Sequence, residues 1–241
     1  MSSIFFNIYY SDISKLTIKN NTFVTIMGTD TVKIVNDISK NINYITNVYE
    51  DKIAKIFSKD INKFKTKTVS SEFNYYLNKS YSKDVKTKIM DLLINKFNLK
   101  NIMNKKFEYL TDTEKIYIKF IISFALNPSI IIIDNLINEL DLDKRKAIVN
   151  YLKEYAKTGK IVINFTQNIE ESLYTKKLII ISNHKKIVDG STKNYLKKDV
   201  IIKQLGYNLP FIYDLNSYLR DYELIDKYIL NYERLLKKLW R

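Results

Sequence analysis

Residues 110–141, LTDTEKIYIKFIISFALNPSIIIIDNLINELD, decide how this chain is read. Four consecutive isoleucines, Ile130–Ile133, lie between Ser129 and Asp134. A short run without polar alternation reads as a strand buried on both faces, the habit of a parallel sheet rather than of an antiparallel sheet with one wet face. An Asp at the carboxyl end of such a strand stands where α/β folds receive ligands. Upstream, Thr111 and Glu114 have the spacing of a capping box ahead of an apolar-periodic segment. A helix is therefore expected from there to about Leu126, stopped by Asn127-Pro128.

Outward from this stretch, residues 3–10 and 14–27 read as strands, with a turn at KNNT, residues 19–22. After Gly28 the pattern becomes helical, with Val32, Val35 and Ile38 assigned to one face. A strand, a Gly and a helix in succession is the place for a phosphate loop in an α/β nucleotide-binding fold. IAKIF, residues 53–57, reads as a short strand, and residues 68–99 as two or more helices. Helix 143–157 and strand Ile161–Phe165 complete a βαβ unit with the isoleucine strand. A helix near 169–174 precedes a hairpin, Lys177–Ser182 and Lys186–Val188, around Asn183-His184-Lys185. From about 199 the chain reads as helical, interrupted at Leu209-Pro210-Phe211, and there is no internal repeat.

The 241 residues are 46% apolar and 27% charged, enough for a real core and unlike a disordered chain. With no cysteine, a disulfide framework, a Cys-type metal site and a Cys nucleophile are excluded. A lone histidine, His184, argues against a multi-His metal site or a Ser-His-Asp hydrolase. Four glycines are few for the tight, positive-φ loops that phosphate sites use. The net charge of +14 has two readings, a nucleic-acid or anionic-membrane partner and a coding bias that saturates the chain with Lys, Asn, Ile and Tyr. The spread of the lysines, with no RNP, KH or helix-turn-helix pattern, favours the second. No apolar run reaches the ~18 residues of a membrane span. The N-terminal MSSIFFNIYYSD lacks the marks of a signal peptide. The expectation is a cytoplasmic chain, peripheral on the inner face of the cell membrane only through a partner.

LTDTE, a helix, Asn-Pro and SIIIIDNLINELD together resemble the signature, helix, Walker B and D-loop succession of ABC-transporter ATPases. LGYNLPFIYDLNSYLRDYELI, residues 205–225, resembles more narrowly the C-terminal extension of energy-coupling-factor ATPases. FSKDINKF and TVSSEFNYYL, at 57–64 and 68–77, resemble that family's Q-loop region, so the resemblance runs from about Leu16 to Ile225. It implies an α/β fold: a P-loop NTPase-like (RecA-like) core with an ABC-type helical subdomain, an N-terminal antiparallel β part and a small C-terminal helical extension. The expected boundaries are 1–198 for the nucleotide-binding domain, with its helical subdomain at about 68–127, and 199–241 for the extension.

By the same resemblance, Gly28, Thr29, Asp30, Thr31 and Lys33 stand at the Walker A loop, apparently one residue short. Ser58 stands at the Q-loop position and Thr111, Asp112, Thr113 and Glu114 at the signature, which would face a partner's nucleotide. Asp134 stands at Walker B, Asn135 at the following carboxylate, Asp141 at the D-loop and Gln167 at the switch histidine. ATP and Mg²⁺ are the implied cofactors, with Mg²⁺ on Asp134. The implied partners are a sister ATPase, identical or different, a transmembrane T-component and a substrate-binding membrane subunit, and no nucleic acid.

The chain departs from the family's pattern at most of these positions. Val32 is β-branched where glycine belongs, Ile34 replaces the Mg²⁺-binding hydroxyl, and Asp30 and Asp112 place negative charge where phosphate is expected. Asn135 is a poor base and Gln167 cannot carry a proton positively. Only Asp134 keeps the residue type of its role, and a sheet-end Asp capping a nearby loop is its plainer reading. Asp141 equally suits a helix start before Lys144. The function implied by the resemblance is that of a degenerate ATP-binding subunit of an energy-coupling-factor-type ABC transporter, coupling ATP-driven dimer closure to micronutrient uptake, with weak or no hydrolysis of its own. The alternatives are a structural or regulatory remnant of the ABC fold and, more weakly, a basic nucleic-acid-binding protein.

Overall fold

The computed structural model describes residues 3–11 and 14–240. Strands β1 (Phe5–Tyr9), β2 (Lys15–Lys19) and β3 (Thr22–Met27) come first, then helix α1 (Thr31–Ser39), β4 (Tyr44–Thr46) and β5 (Ile53–Phe57). Helices α2 (Val69–Leu77), α3 (Lys83–Lys96) and α4 (Asp112–Ala125) precede β6 (Ile130–Asp134), α5 (Leu142–Lys157) and β7 (Ile161–Phe165). The hairpin β8 (Lys177–Ser182) and β9 (Lys185–Ser191) leads to α6 (Thr192–Leu196), α7 (Asp199–Gln204), α8 (Phe211–Asp221) and α9 (Tyr232–Leu239). The chain divides into two compact units, Met1–Phe23 with Thr31–Phe165 and Val24–Asp30 with Thr166–Arg241. No helix among the described residues is long and apolar enough to cross a membrane.

In the first unit β6 is the middle of three parallel strands, paired with β5 on one side and β7 on the other. Ile130–Ile133 are wholly buried, as their unbroken apolar run requires. Each gains about 1.5–3 kcal/mol from leaving water. β1 lies between β2 and β4 in a separate antiparallel sheet, the antiparallel N-terminal part expected from the sequence. Its alternation is clean, with Phe6, Ile8, Leu16 and Ile18 buried. Helix α4 carries Phe120 and Phe124 against an aromatic group with Phe97, Tyr151 and Tyr155.

Helix α1 corrects one expectation. Its buried stripe is Thr31, Ile34, Val35 and Ile38, and Val32 is 61% exposed. The helix starts at Thr31, so residues at i, i+3, i+4 and i+7 from there form the inner face and Val32 falls outside it. β4 and α6 were not expected, and residues 169–174 form a 3₁₀ helix rather than an α-helix.

In the second unit β3 pairs parallel with β8, and β8 antiparallel with β9. Met27, Leu178, Ile180 and Val188 share a core with Leu209, Ile212, Ile225 and Leu235 from the C-terminal segments. Buried Asn216 is fully used: its amide donates to the carbonyls of Ile212 and Ile229 at 2.7 and 3.1 Å, and its oxygen accepts from the Ile229 N–H at 2.6 Å. That clamp orders the segment between α8 and α9, which has no backbone ladder of its own. Left-handed backbone falls mostly on asparagine: Asn21, Asn41, Asn43, Asn98, Asn127, Asn135 and Asn183 all have positive φ.

Candidate functional site

Three residues, Gly28, Thr29 and Asp30, separate the end of β3 from the first residue of α1. A P-loop needs a longer glycine-rich arc, G-x-x-x-x-G-K-[ST], so that successive N–H groups converge on phosphate. The polar side chains of this short loop turn instead to the β8–β9 hairpin. Thr29 Oγ1 lies 2.9 Å from Ser182 Oγ and accepts the Asn183 N–H at 3.3 Å. Asp30 accepts the His184 N–H at 2.7 Å, and its carboxylate lies 3.9 Å from the His184 ring. Asn183 and His184 both have positive φ, the two-residue turn that matches strand twist. His184 thus lies in the hairpin turn, as expected, and Asp30 caps that turn.

Gly28 is held by steric need. Its φ is +117°, and a Cβ there would fall 2.0 Å from the Ile181 carbonyl oxygen of β8. Gln167, two residues after β7, donates from Nε2 to the Gly28 carbonyl at 3.2 Å. Its Oε1 accepts the Tyr207 hydroxyl at 3.3 Å. Burial pushes the Tyr207 phenol above its ordinary value, while a hydrogen bond from the Gly28 backbone pulls it the other way. The structure therefore gathers Gly28, Thr29, Asp30 and Gln167 together, with Ser182, His184 and Tyr207.

A second group forms in the first unit at the carboxyl end of β6. Asp134 accepts from Ser58 Oγ at 2.8 Å on one carboxylate oxygen and from Asn135 Nδ2 at 3.1 Å on the other. Ser58 begins a 3₁₀ turn after β5, whose Phe57 pairs with Asp134, so sheet register brings these side chains together. Asn135 sits at φ 51°, and its N–H donates to the Phe165 carbonyl at 2.9 Å. No cluster of three or more His, Asp or Glu side chains suited to a metal occurs among the described residues.

The start of α4 and the segment 135–141 are also tied together. Thr111 accepts the Glu114 N–H at 3.2 Å while Glu114 accepts the Thr111 N–H at 2.9 Å, the full reciprocal cap. Asp112 is exposed and pairs with Lys115 at 3.2 Å, and Thr113 donates to the Glu139 carbonyl at 3.2 Å. Asp141 is the N-cap of α5, accepting the Lys144 N–H at 3.0 Å. The Lys144 ammonium, 2.5 Å away, and that N–H hold its carboxyl below the usual range. Burial, with Asp141 nearby, pushes the Tyr117 phenol up to about 12.

Two further residues escaped the sequence reading. Arg145 donates to the carbonyls of Asn138 and Leu140, each at 2.7 Å, and so fixes the 135–141 turn. Glu72, 1% exposed, accepts the N–H groups of Lys65 and Thr66 and the Thr66 hydroxyl. An acid on the inner face of a predicted helix was the available signal for Glu72.

Neither group fits the cofactor implied by the resemblance. A phosphate cradle needs inward-facing amides on a longer loop, whereas Thr29 and Asp30 spend their side chains on the hairpin. For Mg²⁺, Asp134 brings one carboxylate beside the Ser58 hydroxyl, whereas Ile34, where a hydroxyl is expected, is buried in α1 and Lys33 is exposed on it.

No protein-family model matches the chain. It is 24% identical over 192 residues to the energy-coupling factor transporter ATP-binding protein EcfA1 of Bacillus subtilis, covering 78% of this chain and 68% of that one. It is 28% identical over 193 residues to the EcfA1 protein of Mesomycoplasma hyopneumoniae, covering 79% and 69%. The chain thus spans about two thirds of the length of these curated relatives. Among solved structures, cbiO1 from Clostridium perfringens, part of the ABC transporter complex cbiONQ, superposes with a TM-score of 0.66 at 19% identity, covering 88% of this chain and 97% of that one. An ATP-binding subunit of an ABC transporter gives 0.67 at 13% identity, covering 86% and 100%. The chain therefore has the fold of the ABC-transporter ATPases and is similar, over most of its length, to the ATP-binding proteins of energy-coupling-factor transporters.

Proposed function

We propose that this chain is a non-hydrolysing subunit of an energy-coupling-factor-type transporter, acting through assembly with a sister ATPase rather than through a nucleotide of its own. The observation that carries this reading is the three-residue Gly28–Asp30 loop, whose polar side chains are bonded to the β8–β9 hairpin. Asn135, where a base is expected, donates its amide to Asp134. Losing a positioned base typically costs 10²–10⁴-fold in rate.

The start of α4 is the part of the family's machinery that remains built. The Thr111–Glu114 cap leaves a helix N-terminus that would close over a nucleotide held by the sister, joining two chains in a two-state interface. This intact turn favours the assembling subunit over an unassembled remnant of the fold. For a membrane partner we assign the open groove of about 380 Å³ lined by Asn62, Phe64, Thr66, Lys67, Lys106, Phe107 and Glu108. Its stacked Phe64 and Phe107 rings offer an apolar floor under a mixed polar rim, where Lys106 pairs with Glu108. Residues 199–225 carry an exposed stripe of Phe211, Tyr218 and Tyr222 that suits subunit pairing. The chain would then sit on the inner face of the cell membrane through that partner, with residues 68–127 as its helical part and 199–241 as its extension.

The purified chain, assayed alone, is expected to hydrolyse no ATP above background and to bind no fluorescent ATP analogue with or without Mg²⁺. Turnover that disappears in Asp134→Ala would overturn the reading. Association that survives truncation at about residue 199 would remove the pairing role of the extension.

A further inference from the structure

We infer that Tyr207 latches the C-terminal extension to the Gly28 loop through Gln167, so that the loop responds to the seating of the extension instead of to a bound anion. Two hydrogen bonds link the segments. The Tyr207 hydroxyl donates to Gln167 Oε1 at 3.3 Å, and Gln167 Nε2 donates to the Gly28 carbonyl at 3.2 Å. Gln167 thus bridges Tyr207 of the extension to the backbone of the Gly28 loop.

In a phosphate loop the backbone amides meet an anionic oxygen. Here the loop instead offers its Gly28 carbonyl to the Gln167 amide, and a neutral partner suits a loop that also carries Asp30. The phenol comes from a short non-helical stretch between α7 and α8. On one side Gly206 has φ +80°, and on the other Leu209 is buried in the core of the second unit. Tyr207 is thus the polar tip of a segment anchored by an apolar neighbour. If the extension lifts, Leu209 leaves its core and the hydroxyl leaves the loop together. The latch is independent of the transporter reading, since every residue in it belongs to the second unit.

Hydrogen exchange of the full chain, read by peptide mass spectrometry, tests the latch on the wild type, Tyr207→Phe, Gln167→Leu and the double variant. Phe keeps the ring and removes the hydroxyl. The expected result is exchange three- to tenfold faster over residues 28–30 and 166–168 in either single variant, as loss of one or two hydrogen bonds predicts. Exchange in β5, β6 and β7 stays unchanged, and the double variant exceeds neither single by more than about twofold. Faster exchange confined to 205–209, or spread evenly over the chain, overturns the latch. The wild type supplies a test that needs no variant: residues 28–30 and 205–209 should open with protection within about tenfold of each other, and a wider gap overturns it. Inorganic pyrophosphate added to the wild type should leave both segments unmoved. Protection of 28–30 with release of 205–209 would make the loop an anion site and sink the inference.

Discussion

The turn that opens α4 and the loop that follows β3 do the same geometric job, launching a helix from an extended segment, yet they are built in opposite ways. At α4 the chain caps itself within four residues: Thr111 and Glu114 satisfy each other's N–H groups, and only Thr113 reaches farther, to the Glu139 carbonyl. At the β3 loop every partner is remote. Thr29 and Asp30 reach Ser182 and His184, and Gly28 reaches Gln167. A self-contained turn keeps its outer face open to another molecule. A loop whose groups are answered from elsewhere in its own chain has become part of the core's wiring.

The comparison breaks most visibly at Gly28. Gly28→Ala should destabilise by more than about 4 kcal/mol or abolish folding, because the new methyl group meets β8 backbone that cannot move aside. A denaturant midpoint within about 0.5 kcal/mol of wild type would show that the loop shifts freely. Next comes Asp30→Ala, which removes a charge-assisted hydrogen bond to the exposed hairpin turn and should cost about 1.5 kcal/mol by the same measurement. Thr111→Ala removes only a local cap, so a loss of about 1 kcal/mol is expected, with no change in exchange across the second unit. If Thr111→Ala proved costlier than Asp30→Ala, the contrast between local and remote wiring would be reversed.

The smallest effect belongs to Asp141 and depends on pH. The Lys144 contacts lower its folded pKa, so its contribution is present above the unfolded value and fades as pH falls through the folded one. Asp141→Asn should therefore be less stable than wild type at pH 7, with the two converging as pH drops below about 4. A gap that widens on acidification would contradict this sign.

What the sequence made legible follows the same division. The isoleucine strand, the Thr111 cap and the hairpin around His184 were readable because each is specified by neighbours within a few residues. Val32 was placed on the wrong face because the helix start, and so its phase, depends on the loop being only three residues long. The side-chain partners of Asp30 and Thr29 lie more than 150 positions away, and that of Gln167 is 40 away. Pairing over such separations is set by strand order, which no local pattern encodes. Arg145 was missed for a related reason: a guanidinium serving three carbonyl contacts looks, in sequence, like any surface helix charge.

The run of left-handed asparagines carries a last consequence. A chain with four glycines has handed its ordinary left-handed bends to a residue that tolerates them. Asparagine cannot take over at residue 28, where the obstacle is the crowding of a neighbouring strand rather than the torsion alone. The glycine after this β-strand thus answers to masonry, and counting it as a trace of nucleotide chemistry would misread it.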